Sequence, residues 1–290
     1  MTTQNKYVEM GTNDKPYAPP CEELYIYYLR GNADTRDTDF GNSFLGNWEE
    51  DGFSFLFFSQ KADVKVKKLL SRQPDLILLD SFIMPYEQWQ PLDDFPIRAG
   101  GFTIYPPWLK PAGKDGNRTI ILDPGVVFGS GCHATTSDCL EALDLITSRN
   151  RGTPRSAVDI GTGTGLLSIA AAITGIERVI GIDINFLAAS TALRNAGLNN
   201  VSDRVMFIKG DAKELSSCIK TDLFIANIHY DIMKDLLGSP SFESCSSFIL
   251  SGLMRSQAWE IVSALKKMPV TLTKEWNSDG IWYTFMGDKH

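Results

Sequence analysis

The sequence predicts an α/β chain: a doubly wound sheet of seven strands preceded by a small α+β unit. Three observations carry that reading. The stretch from Ala157 to Asn185, AVDIGTGTGLLSIAAAITGIERVIGIDIN, reads as strand, glycine turn, helix and second strand. Beyond it, short apolar runs alternate with helical spacing until Lys266, and two β-type runs close the chain. Before Asp94, aromatic and β-branched runs with one short helix replace that alternation.

Met1 to Pro20 is polar and proline-bearing, a loose start. Glu23 to Leu29 (ELYIYYL) has strand composition, and Gly31 to Asp39 is a polar loop. Phe44 to Phe58 holds two aromatic runs around Asp51-Gly52, a hairpin signal. Ala62 to Leu70 is a short helix with Lys65, Lys67 and Lys68 on its solvated face. Leu76 to Leu79 reads as a buried-type strand, and Tyr86 to Trp89 as a turn or short helix. Phe95 to Arg118, rich in proline and glycine around one strand (Phe102 to Tyr105), suits a connector. Trp108 there is a surface aromatic or a seal between domains. The domain reading is therefore residues 1–94, a linker 95–118, and a second domain 119–290.

The second domain opens on TIILDPGVVFGSGCHATT, Thr119 to Thr136. Phe128, flanked by glycine, is a poor core residue and suits a loop that closes over a ligand. Helical spacing starts at Ser137, which makes Thr136 an N-cap candidate, and His133 is a loop histidine with local partners. After the glycine turn, Phe186 to Ala196 is a helix and Val205 to Ile208 a strand ending near Asp211. Asp211 sits either beside a bound adenine or in a plain strand-end turn. Leu223 to Ala226 is a strand with Asn227-Ile228-His229-Tyr230 at its tip, and Asp231 is a cap candidate for the next helix. Phe248 to Leu250, Gln257 to Lys266, Val270 to Trp276 and Ile281 to Met286 complete the order strand, helix, strand, strand.

The glycine turn defines a nucleotide-type site. Gly161, Gly163 and Gly165 allow positive φ and close approach of a ligand, and the helix behind them begins with unpaired N–H groups. Asp183, at the tip of the next strand, can hold the two hydroxyls of a ribose. The spacing D-x-G-x-G-x-G departs from the dinucleotide pattern G-x-G-x-x-G, which leaves NAD as a minor alternative. With S-adenosylmethionine (SAM) no phosphate needs a cradle, and Asp159 suits its ammonium group or nearby waters. The pattern resembles motif one of the class I SAM-dependent methyltransferases.

Composition narrows the partners. The 290 residues are 43% hydrophobic and 22% charged, as in ordinary soluble domains. A net charge of −7 argues against direct nucleic-acid binding and accommodates a basic protein partner. Five scattered cysteines without C-x-x-C indicate neither a disulfide framework nor a metal site. Neither a signal peptide nor a membrane-length apolar run is evident, so a cytoplasmic setting is expected.

Several segments together resemble the PrmA family, bacterial methyltransferases of large-subunit ribosomal protein eleven. DPGVVFGSGCHATT is similar to its D-P-G-x-x-F-G-T-G-x-x-x-T-T signature, and Ala226-Asn227-Ile228 to its A-N-I. LSGLMRSQ, KEWNSDGIWYTFMGDK and the connector YEQWQPLDDFPIRAGGFTIYPPW resemble three further family segments, so the likeness runs from Tyr86 to the end. Cys132 and Ala134 stand where the signature commonly has Thr and Pro, and His229-Tyr230 where the family has aliphatic or small residues.

The resemblance implies a class I SAM-methyltransferase fold and SAM contacts from Thr136, Gly161, Asp183 and Asn227, with Phe128 in the loop over the cofactor. It implies methyl transfer to lysine or N-terminal amines of a protein, with a ribosomal protein as the leading acceptor. Asn227 is the candidate for holding the acceptor nitrogen. His229 either assists in orientation or proton removal or simply shapes the strand end. The competing readings are methylation of another protein or a small molecule, and a non-catalytic SAM-binding module.

Overall fold

The computed structural model describes residues 19–91, 94–109, 118–149 and 152–290; the expected loose start falls mostly outside them. Its first unit is an antiparallel sheet of β1 (Glu23–Arg30), β2 (Phe44–Glu50), β3 (Phe53–Phe58) and β4 (Ile77–Pro85), in the order β2-β3-β1-β4. The β2–β3 hairpin turns at Asp51 and Gly52, whose φ values of 50° and 79° suit the mirror-image turn that matches strand twist. Helix α1 (Asp63–Arg72) buries Val66 and Leu69 against Tyr27, Leu29, Leu56 and Phe58 on one face of this sheet. Lys67 and Lys68 are exposed as expected, but Lys65 is tied down, its Nζ donating to the Phe40 carbonyl and Ser43 Oγ.

The strand expected at Leu76 to Leu79 lies instead at Ile77–Pro85, and it is not buried. Ile77, Leu78 and Leu79 are 49%, 41% and 38% exposed. A run of apolar residues does not distinguish a central strand from an outer one, and β4 is the edge of its sheet.

The short helix α2 (Tyr86–Trp89) leads to β5 (Ile97–Ala99), β6 (Phe102–Tyr105) and β7 (Arg118–Ile121), a three-stranded sheet. Phe95, Ile97, Phe102, Ile104 and Ile120 pack with helix α3 (Ala134–Thr147), so the described part of this stretch belongs to the core of the larger domain. Trp108 is buried. Gly100 has φ +52°, and a Cβ there would stand 2.3 Å from the backbone of Leu140. Gly100→Ala is therefore expected to destabilise the protein by roughly 3 kcal/mol or more, combining left-handed strain with an unyielding backbone contact; urea unfolding midpoints measure it.

The large sheet contains β8 (Ser156–Ile160), β9 (Arg178–Asp183), β10 (Val205–Lys209), β11 (Leu223–Asn227), β12 (Ser247–Met254), β13 (Val270–Ser278) and β14 (Trp282–Lys289). Their order is β10-β9-β8-β11-β12-β14-β13, with β14 antiparallel to both neighbours and the other pairings parallel. Alternate strand residues enter opposite layers: Leu223 and Ile225 face α3 and α4 (Leu166–Ile173), while Phe224 and Ala226 face α7 (Tyr230–Leu236) and α8 (Arg255–Leu265). The chain reverses its winding direction between β8 and β11. The carboxyl ends of those strands therefore border the crevice where such sheets bind ligands.

The first unit meets the larger domain through Leu24, Ile26 and Phe57, which pack on Val126 and Val127 of a loop and Leu187 and Ala188 of a helix. Gly46 of β2 makes this approach possible, since a Cβ there would meet Leu187 at 2.4 Å.

Candidate active site

The glycine turn joins β8 to α4. Gly161, Gly163 and Gly165 all have positive φ, at 68°, 55° and 83°. Gly161 and Thr162 donate their N–H groups to the Ile182 carbonyl at 2.8 and 3.0 Å, which locks the turn to the adjacent strand. Each glycine faces a different neighbour. A Cβ at Gly161 would strike the Ile228 side chain, at Gly163 the Phe128 carbonyl oxygen, and at Gly165 Ala192 of helix α5 (Phe186–Leu198).

Asp159 lies underneath. Its side chain is 1% exposed, and Oδ2 accepts hydrogen bonds from Thr162 Oγ1, Ser168 N and Ser168 Oγ at 2.7, 3.1 and 2.7 Å. Through Oδ2 the carboxylate braces the turn against the first turn of α4. Burial raises its pKa from 3.8 to about 6, outweighing the hydrogen bonds that favour ionisation. Between about pH 4 and 6 the folded state thus binds more protons than the unfolded one, so this group's contribution to stability falls as pH rises through that window and levels above it. The expected cost above pH 6 is about 3 kcal/mol. Thermal unfolding of wild type and Asp159→Asn from pH 4 to 8 checks it: the variant should gain on wild type up to pH 6 and then run parallel.

Asp183 ends β9 with 8% exposure. One carboxylate oxygen accepts Gly163 N at 3.0 Å and the other accepts Asn185 N at 2.9 Å. Each oxygen keeps a second lone pair, and burial raises the pKa. Asn185 in turn caps α5 and donates from Nδ2 to the Glu49 carbonyl, so the first unit touches the rim beside Asp183.

The loop Asp123 to Gly131 folds over the turn. Thr164 Oγ1 donates to the Gly129 carbonyl at 2.6 Å, and Phe128 points outward with 68% exposure. The cap of α3 is His133, whose side chain accepts from Thr135 N; Thr136 lies one turn in and is buried. The N-cap expectation for Thr136 is therefore wrong, because the helix starts earlier than its apolar spacing. Relieved of capping, Thr136 Oγ1 accepts from Asn227 Nδ2 at 3.4 Å. That contact joins α3 to the tip of β11.

Other expected residues stand apart. Asp211 is exposed and caps the short helix α6 (Ala212–Leu215) through Lys213 N. His229 is exposed at the N-terminus of α7, and no hydrogen bond joins its ring to Asn227 among the described residues. The Tyr230 hydroxyl donates to Glu260, and Asp231 pairs with Lys234 rather than capping α7. Two residues went unread. Gly252 (φ +83°) lies under the β11 tip, where a Cβ would meet the Ile228 carbonyl at 2.8 Å and Asn227 Oδ1 at 3.1 Å. Ser251 beside it bonds Thr284 and the Thr135 carbonyl. Their signal was a small-residue pair inside LSGLMRSQ, at the end of a strand.

A seven-stranded sheet in this order, with one antiparallel strand and a glycine turn facing an acid on the next strand, is the class I methyltransferase fold. A family model described as ribosomal protein L11 methyltransferase (PrmA) matches residues 86–290, and the chain belongs to that family. A protein named ribosomal protein L11 methyltransferase from Carboxydothermus hydrogenoformans is 34% identical over 190 residues, covering 64% of this chain and 60% of that protein. The chain thus spans about 60% of that relative's length. A Staphylococcus saprophyticus protein of the same name is 30% identical over 242 residues, with coverages of 80% and 75%. A solved structure of ribosomal protein L11 methylase from Lactobacillus delbrueckii subsp. bulgaricus superposes with a TM-score of 0.57 at 29% identity, covering 66% of this chain and 96% of that one.

Proposed function

We propose that this chain is a SAM-dependent protein N-methyltransferase acting on lysine or N-terminal amines, with a ribosomal protein as acceptor and the cytoplasm as its setting. The observation that carries the reading is the hydrogen bond between Asn227 and Thr136 at the mouth of the glycine turn. The residues fit the cofactor. Gly163 lets the Phe128 carbonyl lie close over the turn, and the Asp183 carboxylate has lone pairs left for hydroxyl groups. Gly161, Gly163, Gly165, Asp183, Thr136 and Asn227 would hold SAM, with Phe128 over it and Asp159 bracing from below. Asp211 belongs to this set only through its position at the tip of β10.

When bound, SAM supplies a methyl group made electrophilic by the sulfonium. What the chain contributes is alignment, since in-line displacement depends on the placement of the nucleophile. Thr136 takes the Asn227 amide N–H, which turns Oδ1 into the acceptor available to an incoming amine N–H. A lysine must first lose its proton from a free pKa of about 10.4, and a desolvating site lowers that value. His229, exposed at the same tip, would assist in orienting the acceptor or in removing its proton. The unit before residue 95 would serve for docking and the domain up to residue 290 for transfer, with the stretch expected as a linker adding Phe95, Ile97, Phe102 and Ile104 to the core of the latter.

The test is incubation with radiolabelled SAM and two pools, undermethylated bacterial ribosomal proteins and a cytosolic extract. Label on one small ribosomal protein supports the reading. Label only elsewhere overturns the acceptor, and SAM binding without any transfer favours a binding module.

A further inference from the structure

Two side chains of one short helix and that of its C-cap residue hold three consecutive carbonyls of the loop that covers the glycine turn. Tyr86 Oη donates to Gly125 O at 2.6 Å, Trp89 Nε1 to Val126 O at 3.1 Å, and Gln90 Nε2 to Val127 O at 2.9 Å. Tyr86 and Gln90 are 1% and 5% exposed, so neither bond competes freely with water. Burial also raises the Tyr86 pKa, which keeps its hydroxyl a donor. On the far side of Phe128, Thr164 fixes the Gly129 carbonyl. At the base of the loop, Asn195 bonds the Asp123 N–H and carbonyl at 2.9 and 3.0 Å. Phe128 is thus the outward residue of a segment pinned on both sides, with its own carbonyl lying over Gly163.

We infer that Tyr86, Trp89 and Gln90 are positioning residues for the cofactor: they set the height of the 125–129 loop above the glycine turn. This rests on the proposed SAM site. The physical case is one of direction. Left alone, a glycine-flanked loop has many conformations, and each buried carbonyl without a donor costs about 1–3 kcal/mol. Three donors from one rigid turn satisfy those carbonyls in one arrangement only. The same helix continues from the exposed edge strand β4, and its first N–H bonds the Glu22 carbonyl, so carbonyls 125–127 are fastened to the first unit while Asp123 and Gly129 are fastened to the loop's own domain.

The test compares Tyr86→Phe, Gln90→Glu and their combination with wild type. Gln90→Glu keeps the shape and replaces the donor by an acceptor. Leu69→Ala, in the separate α1 core, is the stability control. The double variant should raise the KM for SAM and the Kd for S-adenosylhomocysteine at least tenfold, with kcat at saturating SAM within threefold. Hydrogen exchange of the loop peptide should accelerate to match. Leu69→Ala should lower the melting temperature and leave KM unmoved. Unchanged KM and Kd in the variants, with wild type binding normally, overturns the inference alone. Wild-type protein that binds no S-adenosylhomocysteine overturns the site itself, before any substitution is made.

Discussion

Alanine at position 163 is expected to weaken S-adenosylhomocysteine binding by roughly 100-fold while the protein stays folded. Two costs combine. Gly163 has φ +55°, where an L-residue costs about 1–2 kcal/mol. Its Cβ would also sit 2.7 Å from the Phe128 carbonyl oxygen, a backbone atom pinned by its neighbours. Such overpacking costs about 1–3 kcal/mol. Relief requires moving either the loop or the turn, and the turn's N–H is the one that Asp183 accepts. Gly197, exposed in α5 with nothing within 4 Å of a Cβ, is the matched control. Its alanine variant should be stabilised by up to about 1 kcal/mol with binding unchanged. Calorimetric titration and far-UV circular dichroism measure both. Binding within threefold of wild type in Gly163→Ala would mean that the turn does not seat the cofactor.

Asn227→Ala is expected to lower kcat by about 100-fold or more, the scale seen when one positioned hydrogen-bonding group is removed from a reacting centre. KM for SAM should rise too, but by less than kcat falls, because Asp183 and the glycine turn remain. Asn227→Asp separates the two functions of the amide. It retains an oxygen acceptor but loses the N–H that Thr136 holds, so it should recover only part of the rate. Initial rates with an undermethylated ribosomal protein at saturating SAM provide the measurement. Full turnover in Asn227→Ala would remove the residue from the mechanism.

The site was only partly legible. That Gly161, Gly163 and Gly165 form a positive-φ turn facing Asp183 is legible because a turn's φ requirements and the distance to the next strand tip are local properties. Asn227 was marked by its place at a strand end and by the family likeness. Asp159 has a bracing role that the sequence does not show. An acid two residues before a glycine turn looks available to a ligand, and only the fold shows Thr162 and Ser168 closing on it. Thr136 was placed one turn too early in its helix for the same kind of reason. The residue that caps α3 is a histidine, which composition alone does not favour. Gly252 had no signal beyond its small size, since its role depends on a strand carried next to it by a crossover.

The sequence by itself determined the elements and their order: the hairpin at Asp51-Gly52, the helices with one apolar stripe, the central strands and the turn between β8 and α4. Those follow from interactions a few residues apart, where propensity and periodicity act. The tertiary structure alone decided that β4 is an open edge, that His229 faces solvent, and that Asn227 meets Thr136. It alone brought Tyr86, Trp89 and Gln90 onto a loop well beyond them in the chain. Contacts of that kind depend on which faces pack once strand order is set. A pattern of apolar residues records that a face is buried, and is silent about what covers it.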